Sequence, residues 1–106
     1  MQSIIAAQGT QIRLTFTHVD DDLVVFWNGD KVYEKTDVSH GPKLSEDISI
    51  VILPGRNVLV MVGGNDGGPA HFAGRIEIQG KDALPFDARP GGMGIVWSTS
   101  FVIQGN

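Results

Sequence analysis

The chain has 106 residues, a net charge of −4 and 42% hydrophobic residues, which suits one domain with a real core and excludes a disordered segment. Its eight Lys and Arg are scattered without a basic run, which argues against a nucleic-acid partner. It contains no cysteine, so disulfide and thiolate chemistry are excluded.

Fourteen Gly and five Pro fall between apolar runs and seldom inside them, the punctuation of an all-β protein. Residues 3–7 are short and apolar and predict an edge strand. Residues 10–18 alternate, with Ile12, Leu14 and Phe16 on one face and Arg13, Thr15 and Thr17 on the other. A period of two means a half-buried strand. After the polar turn at Asp20-Asp21-Asp22, residues 23–27 are apolar on both faces, which predicts a central strand covered on both sides. Asn28-Gly29 between apolar runs is the strongest short-range hairpin signal, and residues 31–35 return from it. Residues 36–45 read as a loop. Residues 46–53 form the next strand, with Ile48, Ile50 and Ile52 facing one way. Pro54-Gly55 is a tight turn, after which residues 57–62 pair back on that strand. Gly63-Gly64-Asn65-Asp66-Gly67-Gly68-Pro69-Ala70-His71 is a loop, followed by a strand at 72–79 with Phe72, Ile76 and Ile78 inward. Residues 80–92 form a second long loop. The last strand, 94–103, places Ile95, Trp97, Phe101 and Ile103 on one face. No helix is convincing. Eight short strands predict an all-β, single-domain jelly-roll β-sandwich spanning residues 1–106.

No apolar run approaches the roughly 20 residues of a membrane span, so membrane insertion is not expected. Met1-Gln2-Ser3-Ile4-Ile5 lacks the basic start and long apolar core of a signal peptide. That leaves open a cytoplasmic protein or a module of a secreted one.

Three segments carry a resemblance. Asp21-Asp22-Leu23-Val24-Val25-Phe26-Trp27-Asn28-Gly29-Asp30-Lys31-Val32-Tyr33, then Leu53-Pro54-Gly55-Arg56-Asn57-Val58-Leu59-Val60, then residues 63–78 are similar, in order and spacing, to the hairpin, turn and glycine-rich segments of galactose-binding-like β-sandwiches. These jelly rolls serve as carbohydrate-binding modules, as accessory domains of glycoside hydrolases and in lectins. The resemblance implies that fold and a carbohydrate partner. In the calcium-dependent galactose-binding bacterial lectins of this fold, calcium bridges an Asn/Asp-rich loop and two sugar hydroxyls. Asn65-Asp66 is similar in character, which implies calcium with Asp66 and Asn65 as ligands, although the second run of asparagines those lectins use is missing here.

The residues themselves point to the glycine-rich loop as well. A carboxylate accepts two hydroxyl hydrogens and a carboxamide both donates and accepts, a pairing that suits vicinal diols. Asn65, Asp66 and His71 are therefore the expected contact residues, with Asp37 and His40 from the 36–45 loop behind them. His18 ends a strand and reads as structural. Trp27 and Trp97 fall on core faces, whereas Tyr33 is expected at a rim where it could meet a sugar. Three consecutive carboxylates at 20–22 do not converge in an extended chain, so one of them capping the turn is the expected role. No Gly-x-Ser-x-Gly elbow or phosphate loop occurs, and no catalysis is expected. The reading is non-catalytic carbohydrate binding, with a homo-oligomer supplying multivalency. The competing reading is a structural domain that contacts another protein through an apolar outward face made of Leu53, Leu59 and Met61.

Overall fold

The computed structural model describes residues 2–36 and 46–106, and among these described residues there are nine β-strands and no helix. They are β1 (Gln2–Ala6), β2 (Gln11–Asp20), β3 (Asp22–Trp27), β4 (Asp30–Lys35), β5 (Glu46–Val51), β6 (Gly55–Asn65), β7 (His71–Ile78), β8 (Leu84–Ala88) and β9 (Gly94–Gly105). One sheet has the order β1-β9-β6-β3-β4 and the other β5-β2-β7-β8. β1 joins β9 in parallel, and the remaining pairings are antiparallel. The two sheets share one core cluster that includes Ile12, Leu14, Phe16, Leu23, Val25, Leu59, Met61, Phe72 and Ile103.

The inward faces of β2 and β7 are those the alternation predicts, with Ile12, Leu14, Phe16, Phe72, Ile76 and Ile78 all buried. The Asn28-Gly29 hairpin also forms. Both turn residues have positive φ, 52° and 85°, as a two-residue turn matched to the twist of its strands requires. A register shift between Val25 and Phe26 leaves Val32 as an extra residue on β4. This bulge turns both Val32 and Tyr33 toward the core, where both pack.

Four expectations are corrected. Residues 84–88 make a ninth strand beside β7. Its Pro85 lies on an edge strand, where a missing N–H costs nothing. β6 pairs with β3 and β9 and not with β5, so Pro54-Gly55 crosses between sheets instead of closing a hairpin. Ile95 is 78% exposed, because a register shift between Gly63 and Gly64 inverts the alternation of β9 upstream of Trp97. The proposed apolar face of Leu53, Leu59 and Met61 does not exist as such, since Leu59 and Met61 point into the core.

The outward residues of β6 are instead Val58, Val60 and Val62, flanked by Val24 and Phe26 on β3 and Val102 on β9. The run 23–27 is thus apolar on both faces as expected, but the described elements add no third layer over its outer side, so the expected cover on both sides is not found among them.

Candidate functional site

The glycine-rich stretch crosses from one sheet to the other. β6 continues through Gly63, Gly64 and Asn65, and β7 starts at His71, so only residues 66–70 form the connection. Gly63 faces inward. A Cβ there would lie 2.6 Å from the Phe72 ring, which in turn stacks on Trp97 with centroids 5.4 Å apart. That glycine makes room for the core and does not cradle a ligand. Gly68, at φ +75°, takes a turn conformation other residues rarely adopt.

Asn65 is 1% exposed. Its Nδ2 donates to Gly68 O at 2.9 Å and to Gly92 O at 2.8 Å, and its Oδ1 accepts from Gly67 N at 3.4 Å. The carboxamide expected to face a sugar is therefore spent on tying the 66–70 connection to the loop before β9. Asp21, also buried, accepts the Asp66 N–H at 2.6 Å; this carboxylate holds the distant 66–70 connection, a different role from the expected capping of its own turn. Asp66 itself is exposed at the tip. Asp37 and His40 lie outside the described residues.

His71 leads away from the loop and onto the outer face of the four-stranded sheet. Its Nε2 sits 2.9 Å from Asp87 Oδ1 on β8, and its ring stacks on His18 of β2 with centroids 4.2 Å apart. Register explains the meeting. Asp20 pairs with His71, His18 with Ala73, and Ala73 with Asp87. A bulge at Thr17 brings Thr17 beside His18, where the hydroxyl lies 3.2 Å from His18 Nδ1. Next along β7, Arg75 Nε donates to Glu77 at 2.7 Å. Ala73 is small among these taller neighbours, and the result is a depression of about 360 Å³ bordered by Thr17, His18, Arg75, Pro85 and Asp87. Gly74 lies beneath it. A Cβ there would come 2.0 Å from Thr15 O and 2.8 Å from the Phe86 ring, so that position admits only glycine without movement.

Tyr33 is partly buried and packs against the core. Its ring lies 4.2 Å from that of Phe16 in a stacked arrangement, and its hydroxyl donates to Glu46 at 2.7 Å. Burial, then the bond to Glu46, raises the Tyr33 pKa. The hydrogen bonds from Lys35 and then Tyr33 hold the Glu46 carboxyl below its usual value. Phe72 and Trp27 are buried as well. The aromatic rings form a core array that runs Tyr33, Phe16, Phe86, Trp97, Phe72.

Among the described residues no group of three or more His, Asp or Glu side chains is placed to hold a metal ion. Asn65 is buried and bonded within the loop, which leaves Asp66 as the exposed side-chain oxygen donor there. Sequence reasoning missed His18, Arg75 and Asp87 as a group. The available signal was parity: with Phe72 and Phe86 inward, His71 and Asp87 must face outward on neighbouring strands. A scan against protein-family models finds no match, and comparisons with curated proteins and with solved structures find none either.

Proposed function

We propose that this sandwich is a galactose-binding-like jelly roll that binds carbohydrate without catalysis, and that the sugar sits in the depression over Ala73. The observation that supports this most is the pairing of its charges. His71 is hydrogen-bonded to Asp87, which Arg89 also approaches at 3.8 Å, and Arg75 is paired with Glu77, so the rim presents donors and acceptors whose carboxylates face guanidinium groups. Such a surface suits a neutral polyol better than an ion, because each hydroxyl both donates and accepts. Ala73 and Pro85 offer apolar contact to the C–H face of a ring. The relation to the expected loop site is one of displacement: His71 is common to both, and Asn65 acts as a positioning residue for the loop. Affinity per site is low, since hydrogen bonds to sugar replace hydrogen bonds to water.

The test is titration with galactose, mannose and glucose oligomers while following the Ala73 methyl and the His18 and His71 ring signals. Saturable shifts at these groups, reduced about tenfold or more in affinity by Asp87→Ala (about 1.4 kcal/mol), are the expected result. No saturable shift with any of these sugars, or binding unaffected by Asp87→Ala, overturns the proposal.

A further inference from the structure

The outer face of the five-stranded sheet is built unlike an ordinary solvated sheet. An antiparallel sheet with one side in water alternates apolar-in and polar-out. Here the outward positions of the two inner strands are Val58, Val60 and Val62 on β6 and Val24 and Phe26 on β3, and Val102 on β9 continues them. Val24 lies opposite Val62, Phe26 opposite Val60, and Val58 opposite Val102, so the six side chains are contiguous. Ile95, 78% exposed, and Ile5, 61% exposed, extend the patch along its length. Polar groups stand around it: Ser98 and Ser100 on β9, Lys31 and Glu34 on β4. An apolar patch with a polar rim marks a contact surface.

We infer that this face packs against the same face of a second copy of the chain. Area and charge favour that occupant. Five strands spaced about 4.8 Å apart and about seven residues long at about 3.3 Å each present roughly 550 Å² per copy, or about 1,100 Å² for a pair. That clears the roughly 1,000 Å² a specific interface requires. The chain carries −4 overall, yet the charges at this face balance. Lys31 and Arg56 stand against Glu34 and Asp22, and Lys31 bonds Glu34 at 3.1 Å. Two copies can therefore meet here without the repulsion their net charge imposes elsewhere. A two-fold contact needs a self-complementary patch, and a broad surface of valines meets that need. The pair would be a stack of four sheets with the two Ala73 depressions on opposite outer surfaces, about 30 Å apart at about 10 Å per layer. The inference is independent of what, if anything, those depressions bind.

The experiment is sedimentation equilibrium of the full chain over a wide concentration range, with Val60→Lys and the nearly isosteric Val60→Thr as variants. Wild type is expected at twice the 11.4 kDa monomer mass. Val60→Lys buries an unpaired charge on each copy and should weaken association by about 100-fold or more; Val60→Thr should weaken it less, in the same direction. If neither variant folds, the wild type still decides: valine methyl signals of β3 and β6 should be shielded from a soluble paramagnetic agent when concentrated and exposed on dilution. Monomeric wild type at all concentrations overturns the inference. So does a dimer that folded variants leave intact, or a dimer whose valine methyls are broadened at every concentration.

Discussion

At the end of the sandwich that carries the Asn28-Gly29 turn, a buried asparagine, Asn57, donates to Leu53 O at 2.8 Å, Gly55 O at 3.2 Å and Ile103 O at 3.1 Å, and accepts from Asn28 at 3.0 Å. At the opposite end another buried asparagine, Asn65, bonds the carbonyls of Gly68 and Gly92. The device is the same: one carboxamide replaces the ladder where strands leave a sheet, and so satisfies backbone groups that would otherwise be buried unpaired. The surroundings differ. The Asn57 network contains neutral groups alone, and its partner Asn28 also accepts from Val58 N at 2.8 Å. The Asn65 end brings together Asp21, Asp66 and, on the adjoining sheet face, His71 with Asp87. One end is a neutral clasp. The other is a clasp beside titratable groups.

The largest effect expected is from Asn57→Ala. Three carbonyls and the Asn28 amide lose a partner whose side chain is fully buried, the Ile103 carbonyl at a buried position and the others nearer the surface. Unpaired buried groups cost about 1–3 kcal/mol each, so a total of about 3–5 kcal/mol is expected, enough to lower Tm by about 15 °C or more. A thermal melt measures it. A small shift would mean that water can enter this end and that the contrast between the ends is overstated.

Asn65→Ala should cost less, about 1–2 kcal/mol, because the carbonyls it leaves belong to loops at the surface. Hydrogen exchange tells the two ends apart. Residues 65–70 and 89–94 should exchange faster while the amides of Leu53 and Val58 do not change. A uniform acceleration would instead show that the whole sandwich opens as one unit.

At the neutral end the Asn28-Gly29 hairpin was legible in the sequence but the crossing at Pro54-Gly55 was not, and at the charged end the meeting of His71 with Asp87 was not, for a physical reason. Asn-Gly and Pro-Gly are local signals whose φ requirements act within a few residues, and period-two alternation reports the face of each strand. Sheet membership is not local. Nothing in residues 46–62 says that β6 leaves β5 for β3 and β9; the pairing follows from where both faces of each strand can be buried. Bulges at Thr17, Val32 and near Gly64 each shift parity by one, and that shift moved Ile95 outward and Tyr33 inward. The contact of His71 with Asp87 joins residues sixteen apart and depends on β8, a short strand that Pro85 disguises as loop.

Proton titration sharpens the comparison further. Glu46, held by Lys35 and Tyr33, lies on the side of the charged end, and its pKa is lowered. A lowered carboxylate contributes stability that is present above its unfolded value, 4.5, and is lost as pH falls through the folded value. Tyr33 is raised, so its contribution is present below its unfolded value of 10.0 and is lost as pH climbs beyond it. Stability should therefore sag on both sides of a plateau between those limits. Tyr33→Phe should flatten the alkaline limb and leave a shallower acid limb, since Glu46 keeps Lys35. Urea titrations across pH measure this, and an unchanged alkaline limb in Tyr33→Phe would assign that limb to another group.

The smallest effect on stability is expected from Asp66→Ala. Its backbone N–H, not its carboxylate, makes the bond to Asp21 that holds the connection, and its side chain is exposed at the tip. Substitutions at such positions stay within about ±0.5 kcal/mol. The same substitution separates the two places a sugar could sit. If ligands are read in the depression over Ala73, Asp66→Ala leaves sugar affinity within about twofold (about 0.4 kcal/mol), whereas Asp87→Ala weakens it. If the glycine-rich connection reads the hydroxyls directly, the order reverses, and Asp66→Ala removes an acceptor worth about 1–3 kcal/mol with no change in melting. Titration of both variants, with calcium and with chelator, ranks the sites. Loss of binding in Asp66→Ala that chelator reproduces in wild type would restore a metal to the loop and move the site away from His71 and Asp87.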